Sequence, residues 1–91
     1  MGTVFVTFKI MPESVDVNLE KLEERAIDAI VSFGGVIIKS EKLPIAFGLR
    51  SLNISFSQDE TKSNLDPLEE KLRGLHGVSS AEVSDIRRAI G

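Results

Sequence analysis

The sequence predicts an α+β domain in which two helices cover one face of a four-stranded antiparallel sheet. Four segments alternate apolar and polar residues, as strands with one buried face do. Two other segments carry apolar residues at the spacing of amphipathic helices. Their order is strand, helix, strand, strand, helix, strand. This order is typical of the βαββαβ sandwich called ferredoxin-like.

The first half of the chain predicts a strand at 3–11 and a helix at 17–33. Pro12 ends the strand because it has no N–H to donate to a neighbouring strand. Asp16 is the predicted N-cap, since its carboxylate can accept from the free N–H groups of the first turn. The helix should end at Gly34 and Gly35, because glycine adopts the left-handed conformation without a Cβ clash.

The second half predicts strands at 36–43, 49–57 and 78–86 and a helix at 64–74. Residues 44–48 are expected to form a loop, and Ile37 and Lys39 to share one face of the strand before it. The second helix has two possible starts, with either Ser63 or Asp66 as its N-cap. The predicted core consists of residues from both helices and two of the strands: Val4, Val6, Phe8, Leu22, Ala26, Ile30, Leu52, Ile54, Leu68 and Leu72.

Composition argues against several classes of function. The chain has no cysteine and a single histidine, His76, so neither a metal site nor a catalytic set is expected. The net charge of −3 lacks the basic excess of a general nucleic-acid binder. The glycine-rich phosphate-binding motifs G-x-x-x-x-G-K-[ST] and G-x-G-x-x-G are both absent from the sequence, so no nucleotide or other cofactor is expected. His76 reads as a residue of a turn after the second helix.

The chain is expected to form one domain over 1–91, because 91 residues leave no length for a second core. Its amino terminus lacks the basic and small-residue features of a signal peptide. No apolar run approaches the ~18 residues of a membrane span. A cytoplasmic location, with no membrane partner, is therefore predicted.

Three strings carry a resemblance to a known family. They are MPESVDVNLEKL at 11–22, PIAFGLRSLNI at 44–54 and VSSAEVSDIRR at 78–88. Together, in this order and spacing, they resemble archaeal elongation factor 1-beta and the catalytic carboxy-terminal domain of its eukaryotic relatives. The resemblance implies an exchange factor that replaces GDP by GTP on elongation factor 1-alpha, regenerating the form that binds aminoacyl-tRNA. It implies no covalent chemistry, no direct nucleic-acid contact and no small-molecule ligand.

The resemblance also implies which residues meet the partner. The family's exchange surface uses the loop with the Phe-Gly pair, here Pro44, Phe47 and Gly48, and the carboxy-terminal end. Eukaryotic members place a lysine near that end, where it approaches the Mg²⁺ and phosphate region of the GTPase. This chain has no lysine after position 71, and its nearest cations are Arg87 and Arg88.

Each of these assignments has an alternative. Phe47 could instead fold inward over one end of the sheet, and the two arginines could be solvated charges. For the whole chain, the main alternative is a regulatory domain of the same fold that dimerises and binds a small molecule. RNA recognition is a third interpretation, since RNA-binding sheets share this fold. It needs exposed aromatic rings, but the alternation places Phe56 with Leu52 and Ile54 on the core side of the strand.

Overall fold

The computed structural model describes residues 2–62 and 64–89 and confirms the ferredoxin-like α+β fold. The elements are β1 (Thr3–Pro12), α1 (Leu19–Phe33), β2 (Val36–Ala46), β3 (Leu49–Asp59), α2 (Asp66–Arg73) and β4 (Val78–Arg88). A short 3₁₀ helix, Glu60–Lys62, follows β3. All neighbouring strands are antiparallel, in the order β2-β3-β1-β4.

The core lies between the two helices and one face of the sheet. Nine of the ten predicted core residues are buried, and the rings of Phe8 and Phe56 stack at its centre with centroids 6.1 Å apart. Val4 is the exception, being only partly buried. It pairs with Gln58 and Arg88 in one of the last rows of the sheet, where packing ends.

The start of α1 differs from the prediction. Asn18, not Asp16, is the N-cap, and its Oδ1 accepts from the backbone N–H groups of Glu20 at 3.0 Å and Lys21 at 3.2 Å. Asp16 lies two residues too early to reach those groups. The end of the helix is as predicted, since Gly34 adopts a left-handed conformation with φ of 108°.

The start of α2 also differs from the prediction. Its N-cap residue is Leu65, which has no side-chain capping bond. Asp66 is therefore the first residue of the helix rather than its cap. The backbone N–H of Asp66 donates to Oδ1 of Asn64 at 3.2 Å, which satisfies one of the donors of the first turn. The other predicted cap, Ser63, lies outside the described residues.

The loop predicted at 44–48 is shorter than expected. β2 continues through Pro44, which pairs with Arg50, to Ala46, and only residues 47 and 48 connect it to β3. β2 is an edge strand, and an edge strand tolerates proline because half of its N–H groups face solvent. The predicted faces of β2 are also corrected. The register with β3 shifts between Ile37 and Lys39, which pair with neighbouring residues of β3, so Ile37 and Lys39 do not share a face.

A polar cluster joins α1 to the helix-facing side of β2. Ser40 Oγ donates to one carboxylate oxygen of Glu23, and Lys42 Nζ lies 3.3 Å from the other. The hydroxyl of Ser40 lowers the pKa of Glu23 below its ordinary value. The bond and positive charge of Lys42 act in the same direction, and partial burial opposes them. The ionised form of Glu23 therefore stabilises the contact between the helix and the strand.

This cluster predicts how stability depends on pH. Because the pKa of Glu23 is lower in the folded chain than in the unfolded chain, its contribution is complete above the unfolded value. The contribution should fade as the pH falls through the folded value. We expect Glu23→Gln to reduce the free energy of unfolding at pH 7, measured by urea titration, and to matter progressively less towards pH 3. A difference that stayed constant across this range would mean that ionisation of Glu23 does not stabilise the fold.

Candidate functional site: the two ends of the sheet

The hairpin between β2 and β3 ends in Phe47 and Gly48, which we call the hairpin tip. Phe47 has φ of 53° and Gly48 of 80°, and positive values at both central residues define a type I′ turn. Glycine adopts this conformation freely, whereas a residue with a Cβ is disfavoured there by about 1–2 kcal/mol. The Phe47 side chain is also 97% exposed. The fold therefore displays a bulky apolar ring at a strained position.

Other apolar side chains surround the hairpin tip. Leu43 and Ile45 of β2 are both nearly half exposed, and Val15, in the segment between β1 and α1, is more exposed still. A Cβ added to Gly48 would lie 3.6 Å from Cγ1 of Val15, so that segment reaches the tip. The sequence offered no signal for Val15, because only the tertiary fold brings it here. This end of the molecule therefore presents an apolar surface.

The predicted cations lie at the end of β4 and point to opposite faces of the sheet. Arg87 is opposite Phe5, on the face without helices, whereas Arg88 is opposite Val4, on the face that carries them. Both side chains are mostly exposed and both are ion-paired. Arg87 Nε donates to Oδ2 of Asp85 at 2.9 Å, and Arg88 Nη2 lies 3.0 Å from Oε2 of Glu60.

The fold does not bring the two predicted regions together. Arg88 and Gln58 both pair with Val4, so the three residues lie in one row across the sheet. Gln58 lies nine residues along β3 from Leu49, which is the residue after the hairpin tip. At ~3.3 Å per residue of strand, the hairpin tip and the arginines are about 30 Å apart. The longest dimension of the molecule is 42 Å. Pro44, Phe47 and Gly48 thus lie near one end of the sheet, and the arginines near the other.

Elsewhere, an open cleft of about 390 Å³ lies beside the start of α1. It is lined by side chains of mixed charge, including Lys21, Arg25, Glu13 and Asp16, and by His76, which is exposed in the turn after α2. Among residues 2–62 and 64–89, no group of three or more His, Cys, Asp or Glu side chains is placed to hold a metal ion. Within the same residues, no helix is both long and apolar enough to span a membrane.

The described residues thus present an exposed aromatic ring with apolar neighbours at one end of the sheet and two ion-paired arginines near the other. Residues 5–89 match the model of the EF-1 guanine nucleotide exchange domain, and the chain belongs to this family. Nucleotide exchange in translation elongation is therefore its function. The resemblance predicted from the three strings is confirmed.

Curated relatives agree over nearly the whole chain. The chain is 42% identical over 88 residues to Elongation factor 1-beta of Methanothermobacter thermautotrophicus, covering 97% of this chain and 98% of that protein. It is 43% identical to Elongation factor 1-beta of Methanobrevibacter smithii with the same coverage. With that of Methanococcoides burtonii it shares 37% over 90 residues, or 99% and 100% of the two chains.

Two solved structures are similar to this chain in fold. The ACT domain from GTP pyrophosphokinase of Chlorobium tepidum has a TM-score of 0.58 and 24% identity, covering 87% of this chain and 95% of that one. An uncharacterized protein from Thermotoga maritima has a TM-score of 0.51 and 13% identity, covering 93% and 100%. At such identities these similarities support the fold alone.

Proposed function

We propose that this chain promotes the exchange of GDP for GTP on elongation factor 1-alpha and so regenerates the form that binds aminoacyl-tRNA. It makes and breaks no covalent bond. An exchange factor works through its preference for one state of the GTPase, because a binding protein shifts an equilibrium by the difference between its affinities for the two states. Here the preferred state is the one from which GDP and Mg²⁺ have been loosened.

The observation that carries this proposal is the display of Phe47. Small interfaces concentrate their binding energy in a few aromatic or arginine anchors that enter pockets on the partner. An aromatic ring that is fully exposed and held at positive φ has no evident role inside its own fold. Pro44 fixes the backbone of the strand that leads to it, and Gly48 completes the turn. We therefore propose these three residues as the first contact region.

The end of β4, with Arg87 and Arg88, is the proposed second contact region. Guanidinium groups bind carboxylates and phosphates in bidentate geometry, and such groups hold Mg²⁺ and GDP in a GTPase. Cations that compete for them favour departure of the metal and the nucleotide. Since the two regions are about 30 Å apart along the sheet, the GTPase is contacted at two separate places rather than at one compact patch.

Release of a fluorescent GDP analogue tests the proposed function directly. Elongation factor 1-alpha loaded with the analogue is mixed with excess unlabelled GTP, with and without this chain. We expect catalytic amounts of the chain to accelerate the loss of fluorescence, because each molecule leaves once GTP has bound. A release rate that did not change at any concentration of the chain would contradict the proposal. An unrelated GTPase loaded in the same way serves as the control for specificity.

A further inference from the structure

We infer that the two arginines at the end of β4 have different roles: Arg87 contacts the partner, and Arg88 is a positioning residue that holds the strand end in place. This inference rests on the proposed function and narrows its second contact region, since only Arg87 of the two arginines would then touch the GTPase. Its basis is the alternation of β4, which directs the two neighbouring side chains to opposite faces of the sheet and gives them different bonding partners.

Arg88 belongs to a set of bonds that joins three segments of the chain. Its Nη2 lies 3.0 Å from Oε2 of Glu60, in the 3₁₀ helix after β3. The backbone N–H of Glu60 donates to the carbonyl oxygen of Gly2 at 3.0 Å, and that of Ala89 donates to the carbonyl oxygen of Thr3 at 2.8 Å. We call Gly2, Glu60 and Arg88 the terminal clasp, since they connect the start of β1, the end of β3 and the end of β4.

Gly2 gives the clasp the space that it needs. A Cβ added to this glycine would lie 2.9 Å from both Cδ and Oε2 of Glu60, closer than real contacts allow. Any larger residue would therefore displace the carboxylate, which is the flexible end of the Glu60 side chain, from its present position beside Arg88. The geometry of the ion pair thus depends on residue 2 as well as on the two charges, which provides an uncharged way to disturb it.

Arg87 is bonded quite differently. Asp85, its partner, lies two residues earlier on the same strand and the same face, and both side chains are largely exposed. Single exposed ion pairs are weak, and this one, unlike the pair of Arg88, connects no second segment of the chain. Arg87 can therefore exchange Asp85 for a carboxylate or phosphate of the GTPase without releasing another segment of the chain. Its cross-strand neighbour Phe5 is 40% exposed, so an aromatic side chain stands beside the cation on this face.

Charge-swap variants distinguish the two roles. The measurements are the rate of stimulated GDP release and the melting temperature of the free protein. We expect Arg88→Glu to slow release by about fivefold or less, as befits an exposed pair. The double variant Arg88→Glu with Glu60→Arg should return the rate to within about twofold of the wild type, because the clasp is restored with reversed charges.

The matched control is the equivalent swap on the other face. Arg87→Ala should slow release by about tenfold or more, as expected for an arginine anchor. The double variant Arg87→Glu with Asp85→Arg should not recover the wild-type rate of release. Its cation lies about 7 Å further along the strand, away from the groups that Arg87 must reach. All variants should melt close to the wild type. Recovery by this second swap would contradict a direct contact of Arg87.

Gly2→Ala tests the clasp without changing a charge. It should slow release about as much as Arg88→Ala does, and the two changes together should be no worse than either alone, because both break the same ion pair.

One result of the charge swap would contradict the inference. If Arg88→Glu with Glu60→Arg remained folded but as slow as Arg88→Glu alone, Arg88 would contact the partner directly and the inference would be wrong.

Hydrogen exchange in the free protein, measured without the GTPase, separates failure of this inference from failure of the proposed function. The Ala89 N–H, which donates across to β1, should exchange with solvent faster in Arg88→Glu and return to its wild-type rate in the double swap. Unchanged exchange in Arg88→Glu would show that the pair does not hold the strand end, and would overturn the inference whatever the nucleotide assay gives.

Discussion

Replacing Phe47 by alanine is expected to weaken binding to elongation factor 1-alpha by roughly 30-fold, with the melting temperature nearly unchanged. Aromatic anchors at the centre of an interface typically contribute ~2 kcal/mol or more, which corresponds to this factor. The ring is 97% exposed, so its removal takes no packing from the free protein. A titration of stimulated GDP release, together with a thermal melt of the free variant, measures both quantities.

The matched variant is Phe47→Asn, which separates the role of the ring from that of the turn. Asparagine tolerates positive φ better than phenylalanine, and Asn-Gly is a favoured type I′ pair. We therefore expect this variant to be more stable than the wild type, by up to about 1 kcal/mol, while binding as poorly as the alanine variant. A large fall in melting temperature with exchange intact, in either variant, would instead assign Phe47 to the stability of the fold.

Replacing Leu22 by alanine is expected to reduce the free energy of unfolding by ~2–5 kcal/mol, the usual result of truncating a buried leucine. Leu22 is 1% exposed and lies on the face of α1 that packs on the sheet. A domain of this length has a total stability of about 5–14 kcal/mol. The variant should therefore lose a large fraction of its stability, which urea titration would record as a lower midpoint.

Leu43→Ala is the matched control, since it removes the same atoms from a side chain that is 45% exposed on an edge strand. Its effect on the free energy of unfolding should be about 1 kcal/mol or less, because surface substitutions have small effects. Equal losses in the two variants would contradict the packing of α1 described above.

The fold could be predicted because its signals are local and mutually consistent. Alternation in β1 and β3 and the apolar stripes of the two helices identify the buried face of each element, and Phe8 and Phe56 are both buried on the face that alternation assigns to them. The errors concern properties that emerge only after assembly. The N-cap of α1 depends on the backbone angles of Asn18. Pro44 continues a strand because β2 is at the edge of the sheet, and strand order is not written in any local pattern.

The candidate site was less accessible from the sequence, for the same reason. The residues of both regions were named by resemblance, but nothing local fixed the exposure of Phe47 or its positive φ. Val15 gives no signal until the fold places it beside the hairpin tip. The distance between Phe47 and Arg87 follows from the register of three strands. Residues that a family comparison groups into one surface thus lie at opposite ends of the sheet.

The hydrogen-bonded strands between those ends resist shortening and stretching, so the sheet fixes the distance between the two contact regions. A GTPase bound at both regions must hold its own two contact sites at that same distance. If GTP binding rearranges the domains of the GTPase, the distance between those sites changes and one of the two contacts is lost. The exchange factor would then dissociate, because its two contact regions could no longer bind at the same time, and the length of the sheet would distinguish the two states of its partner.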